Sequence, residues 1–108
     1  MKSASRTKQG TLIVDVSGSI DLNSSPILRK VLLDALKGAV RLAVNLSAVN
    51  YVGSSGIASL LEVLKEARQT QKRFVLFGVT VQVREVFELT RLTKVFEIVE
   101  TEDQAVTS

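Results

Sequence analysis

Two short segments, residues 12–16 and 42–46, constrain this chain more than any other feature. In each, large apolar side chains recur at alternate positions: Leu12, Val14 and Val16 in the first, Leu42, Val44 and Leu46 in the second. The intervening positions carry Asp15 and Asn45 beside the smaller or lone apolar residues Ile13 and Ala43. Alternation at a period of two marks a strand with one buried face. A parallel sheet covered by helices on both sides reads as apolar throughout, so these strands belong to a sheet clothed mainly on one side.

The segments between and after them read as helices. Ser25 is placed to cap free amides, and Pro26 stands at the first helical position, where its missing N–H costs nothing. From there Leu28, Val31, Leu32, Ala35 and Leu36 form an apolar stripe up to Gly38. Ile57, Leu60, Leu61, Leu64 and Ala67 repeat at helical spacing between residues 54 and 70. Val83, Val86 and Phe87 mark a third helix over about residues 80–90, and Thr101 with Gln104 has the form of a capping box. Residues 73–77 and 95–99 read as strands. Gly18 is expected to close the first strand ahead of a polar loop to residue 25, and residues 47–53 are expected to be a loop.

Strand and helix therefore alternate, which predicts an α/β domain. The expected fold is a mixed, mostly parallel sheet of four or five strands, with helices mainly on one face. Residues 10–108 form the single domain. Residues 1–9 precede it as a basic stretch that turns at Gln9-Gly10 and pairs as a ragged edge strand. The loops after the first two parallel strands leave the same end of the sheet, so they should be neighbours.

Composition removes most chemistry. The chain has no histidine and no cysteine, which excludes the usual zinc, disulfide and haem arrangements and any Ser-His-Asp or Cys-His relay. No cofactor is expected, and only an oxygen-ligand metal site would remain open. The formal charge of +3 comes from Lys2, Arg6 and Lys8, because residues 10–108 hold eleven basic and eleven acidic groups. Three scattered cations do not make a nucleic-acid surface. They and the acidic cluster of Glu97, Glu100, Glu102 and Asp103 read as solvated termini. The polar start has no signal-peptide form, and no run of apolar residues is long enough to span a bilayer. A cytoplasmic protein is expected.

One motif carries chemical content. Gly53-Ser54-Ser55-Gly56 opens the 54–70 helix, whose first amides have no partner within the helix. A serine hydroxyl there acts either as a plain cap or as an anion or modification site, since free amides and the helix dipole favour a phosphate. No serine of the motif has a lysine three residues on, and Asp21 is the one carboxylate expected nearby. A hydrolase is therefore not supported, and the protein is expected not to be an enzyme. Tyr51 and Val52 read as loop packing.

Residues 44–64, Val-Asn-Leu-Ser-Ala-Val-Asn-Tyr-Val-Gly-Ser-Ser-Gly-Ile-Ala-Ser-Leu-Leu-Glu-Val-Leu, resemble the STAS domain family, in particular the small stand-alone bacterial anti-sigma factor antagonists. Val-Ser-Gly-Ser-Ile-Asp21 upstream and Leu89-Thr-Arg-Leu-Thr-Lys-Val-Phe96 downstream extend the resemblance over about residues 10–104. It implies a protein that binds an anti-sigma factor, often a serine kinase with a histidine-kinase-like ATP fold, and so releases a sigma factor. Phosphorylation of the first serine of the motif, here Ser54, ends that binding. Asp21, Gly53, Ser55 and Gly56 then surround the modified residue. The implied partner surface takes in Ser19, Asp21, Ser54, Ser55, Ala58, Ser59 and Glu62, with 55, 58, 59 and 62 expected on the exposed side of the helix. The small residues at 55, 58 and 59 suit either close approach of a partner helix or packing inward. The family usually has aspartate where this chain has Gly53, which bears on recognition by a kinase.

Two other roles remain open on the residues alone. One is a scaffold subunit of a stress-signalling complex, or an accessory subunit of a membrane transporter, built on the same fold. The other is a nucleotide- or anion-binding module, which would need a basic group near Ser54, although no lysine or arginine lies between Arg41 and Lys65. Composition yields the first prediction: chelator and reductant leave the melting temperature unchanged. A drop of more than a few degrees on adding EDTA would reveal an oxygen-ligand site.

Overall fold

The computed structural model describes residues 1–107. Its five strands are β1 (Lys2–Lys8), β2 (Thr11–Ile20), β3 (Arg41–Val52), β4 (Arg73–Phe77) and β5 (Glu97–Val99). They lie side by side in chain order, β1 antiparallel to β2 and the rest parallel. Four helices connect or follow them: α1 (Ser25–Gly38), α2 (Ser54–Gln69), α3 (Val81–Leu89) and α4 (Glu102–Thr107). This is the mixed α/β sheet that the alternation predicts.

The two faces of the sheet differ as Asp15 and Asn45 foretell. Leu12, Val14, Val16, Leu42, Val44, Leu46, Phe74 and Leu76 meet the apolar stripes of α1, α2 and α3 in the main core. Phe96 joins that core edge-on to Phe74 and Phe87, with ring centroids 6.5 and 5.4 Å apart. The other face carries a small cluster of Ile13, Ala43, Val75 and Phe77, covered by Ala105 and Val106 of α4. Thr101 and Gln104 complete the expected capping box at the start of α4: the Gln104 amide donates to Thr101 Oγ1, and the Thr101 amide to Gln104 Oε1.

Four local expectations are corrected. β2 does not close at Gly18 but runs on to Ile20, and β3 continues through the expected 47–53 loop to Val52. Their pairing shifts register between Asp15 and Ser17 and again between Gly18 and Ser19, with Gly18 at φ +90°. These bulges break the two-residue period, so the buried residues of the extension, Leu46, Val49 and Val52, recur every third position and no longer read as a strand. The last strand is shorter than residues 95–99, because Val95 and Phe96 close a turn onto the Leu92 carbonyl and Phe96 swings into the core. Ser25 is not the cap of α1. It is the first helical residue and is buried, and Asp21 organises the turn before it.

The terminal charges are not simply solvated. Arg6 pairs with both Asp15 and Glu102, and Lys8 with Glu102 and Asp103, so the basic start of the chain lies against its acidic end. Arg73 holds Glu97 and donates to the Ala105 carbonyl. The paired cations keep the Glu102 carboxyl at about 2, against 4.5 for an unperturbed glutamate, chiefly through the hydrogen bond from Arg6 and then that from Lys8. Asp15 is lowered too, first by Arg6 and then, against some desolvation, by Asn45. Depressed folded values give stability that is fully present above the unfolded pKa and is lost as protons bind. Thermal stability is therefore expected to fall as the pH drops from about 5 towards about 2. Glu102→Gln should flatten part of that fall, and so should salt, because the pairs are half exposed. An acid slope identical in Glu102→Gln and the parent would exclude this pairing as its cause.

Candidate functional site

The C-terminal ends of β2 and β3 deliver two turns to one place. The Gly53 amide donates to the Ile20 carbonyl at 2.9 Å, which joins the turn before α2 to the end of β2. The two loops are neighbours, as the parallel order requires. Ser19 Oγ donates to Asn50 Oδ1 across the same rim at 2.9 Å.

Gly56 explains why the helix sits so close. A Cβ on it would stand 2.7 Å from Ile20 Cγ2 and 3.0 Å from Val52 Cγ1. Only a residue without a side chain lets the first turn of α2 rest on the ends of both strands. Gly53 differs: its φ of −83° is open to any residue, and it occupies the cap position without offering a side chain to the amides.

Ser54 is the first residue of α2 and is exposed. Its hydroxyl caps nothing and has no hydrogen-bond partner among the described residues, so the plain-cap role is not realised. Ser55 is half buried, with Oγ 2.9 Å from Ser25 Oγ. Ser59, expected on the exposed side, is corrected: it is 7% exposed and donates to the Ser25 carbonyl. Positions 55 and 59 are one helical turn apart and face α1, while Ser54, Ala58 and Glu62 form the outward stripe. Small polar residues look the same in a sequence whether they line a surface or a helix–helix seam. Glu62 is exposed and reaches Arg29 Nη1 of α1 at 3.3 Å.

Asp21 serves its own turn. Its Oδ1 accepts from the Ser24 amide and hydroxyl and from the Asn23 amide, and these hydrogen bonds, those from Ser24 foremost, hold the carboxyl below the usual carboxylate range. None of its hydrogen bonds reaches Ser54. The link is indirect: the Asp21 carbonyl accepts from Ser25 Oγ, which touches Ser55.

Sequence reading overlooked a set of apolar residues at this end. Leu22 is 78% exposed, Ile27 58%, Tyr51 53% and Val81 73%, and all four lie on segments that start or finish at the C-terminal ends of the parallel strands. Ile27 stands off the buried stripe of α1, and Leu22 is a large apolar residue between Asp21 and Asn23; these were the available signals. Val52 packs inward as expected, whereas Tyr51 does not. The described residues contain no acidic cluster able to hold a metal ion and no helix long and apolar enough to cross a membrane.

This end of the sheet thus carries an exposed, uncapped serine at a helix start together with exposed apolar side chains. The STAS domain profile matches residues 2–105. The chain belongs to the STAS domain family. Among its curated relatives, an anti-sigma-B factor antagonist of Listeria monocytogenes is 32% identical over 84 residues, covering 77% of this chain and 74% of the relative. One of the same name from Staphylococcus aureus is 31% identical over 86 residues, covering 79% and 80%. A solved anti-sigma factor antagonist from Mycobacterium paratuberculosis superposes with a TM-score of 0.81 at 27% identity, covering 98% of this chain and 91% of that one. These relatives are regulatory proteins rather than enzymes by name.

Two substitutions separate the roles of the STAS motif residues. Gly56→Ala is expected to cost about 1–3 kcal/mol, because the added methyl must push Ile20 and Val52 apart. Ser54→Ala should change stability by no more than about 0.5 kcal/mol, since its hydroxyl holds nothing. Urea melts of both variants test the pair, and a large loss in Ser54→Ala would mean that the hydroxyl is structural.

Proposed function

We propose that this chain is a cytoplasmic anti-sigma factor antagonist that binds an anti-sigma factor through the C-terminal end of its sheet, with Ser54 as the phosphorylation switch. The observation that carries this reading is the exposed Ser54 hydroxyl, free of hydrogen bonds among the described residues, at the end of the sheet where the exposed Leu22, Ile27, Tyr51 and Val81 also lie. The names of the curated relatives support the partner class.

The physics of the switch follows from the helix start. A phosphate on Ser54 would be favoured by the uncapped amides of α2 and by its dipole, so the fold would tolerate it. It would bring nearly two negative charges into the contact area, where desolvation opposes binding. The modification would thus act on the surface and leave the core alone. The anti-sigma factor would be a serine kinase with a histidine-kinase-like ATP fold, and the antagonist itself would carry no enzymatic activity and touch no nucleic acid. Ser19, Asp21, Ser55, Ala58 and Glu62 would border the contact, with Ser59 supporting it from the α1 seam.

Calorimetry with the purified cognate anti-sigma factor tests the reading. Ser54→Ala should bind as the parent does. Ser54→Asp should lose on the order of 2–5 kcal/mol if the charge is fully desolvated, and less at the rim. Equal affinity of parent and Ser54→Asp would remove this helix start from the interface. Intact-mass analysis after incubation with ATP reads the other half: phosphate on Ser54 is expected. Phosphate found only elsewhere would remove Ser54 from the switch.

A further inference from the structure

Tyr51 stands apart from every other aromatic side chain of the molecule. The four phenylalanines are buried, none more than 4% exposed, whereas the single tyrosine is 53% exposed. It lies on the far end of β3, beyond Asn45, where pairing with β4 stops and only β2 flanks the strand. Its hydroxyl makes no hydrogen bond among the described residues. Core packing therefore does not account for its position.

Gly53 does. A Cβ on Gly53 would stand 3.1 Å from the Tyr51 hydroxyl oxygen and 3.5 Å from Cε2 of its ring. The phenol thus covers the ground that a side chain at position 53 would occupy, one residue from Ser54. Backbone strain does not demand glycine there, because φ is −83°. Capping does not demand it either, since aspartate at a cap position equals or slightly exceeds glycine. What glycine provides is room for the ring.

We propose that Tyr51, laid across Gly53, is the aromatic anchor by which this chain selects its anti-sigma factor, an inference that rests on the docking reading above. A rigid ring with an apolar body and a polar tip loses little conformational entropy on contact, which is why tyrosine recurs at the energetic centres of interfaces. The partner surface it fits is an apolar recess shaped for a phenol, set beside the place where Ser54 docks. A side chain at position 53 would displace the ring, so residues 51 and 53 act as one specificity unit.

The test uses the full chain and its purified cognate anti-sigma factor. Tyr51→Ala should weaken binding at least about tenfold, and Tyr51→Phe should stay within about threefold of the parent. Val40→Ala and Leu89→Ala, exposed apolar positions remote from the site, should have no effect. Gly53→Asp should also weaken binding, and in the Tyr51→Ala background it should add nothing further, because the ring it displaces is already gone. Without the partner, acrylamide quenching of the single tyrosine should increase in Gly53→Asp. Unchanged quenching, or losses from the two substitutions that simply multiply, would overturn the unit. Loss of binding in Ser54→Asp with none in Tyr51→Ala would overturn the anchor while leaving the docking reading intact. No loss in either would overturn the docking reading itself.

Discussion

The seat of the first turn of α2 on the ends of β2 and β3 governs the rest of this molecule. Ile20 and Val52 are both buried, and they close on Gly56 so tightly that one methyl group would not fit. The contact forms because the two strands run on past their register shifts to reach the helix start together. The Gly53 amide then ties to the Ile20 carbonyl, and the next residue, Ser54, is left at the surface. Without that seat the helix start would move freely, and an exposed serine on it would have no defined surroundings to present to a partner.

A second constraint keeps α1 and α2 in register at the same end. Ser25 is the hub: its hydroxyl joins the Asp21 carbonyl to Ser55, and its own carbonyl receives Ser59. Buried hydroxyls that are each bonded hold position, because an unmade bond in that seam would cost the desolvation of the group. The loop carrying Asp21 and Leu22 is thereby coupled to the helix carrying Ser54, although no bond joins Asp21 to Ser54 directly. On the other face the coupling is ionic: Arg6 and Lys8 clasp Glu102, so the start of the chain is held against α4.

How much of this was legible depended on whether a residue's role showed in its periodicity. The sheet, its one-sidedness and the capping of α4 followed from regular spacing, since Asp15, Asn45 and the Thr101–Gln104 pair each sit where a simple rule places them. The ends of β2 and β3 were missed because bulges replace the period of two with Leu46, Val49 and Val52 at intervals of three. Ser59 was misplaced because its size and polarity fit a surface as well as a seam, and only the position of α1 distinguishes them. The ionic pairing of the termini joins residues more than 90 positions apart, a separation across which no local pattern carries information. The motif itself was plain, but the exposed apolar residues at its end of the sheet were not: Leu22, Ile27, Tyr51 and Val81 come from four separate segments that only the fold brings to one end.

The seat of α2 also accounts for the division of labour within the motif. Of its four residues, Gly56 and Ser55 face inward and are held by Ile20, Val52 and Ser25, so substitution there alters the fold before it alters a surface. Ser54 faces outward with nothing to hold, so its chemistry can change without disturbing the packing beneath. Gly53 belongs to neither class, for its backbone is unstrained and a side chain there would meet an exposed ring. A modification on Ser54 would therefore leave the packing beneath it undisturbed, and on the docking reading proposed above its cost would fall on whatever binds.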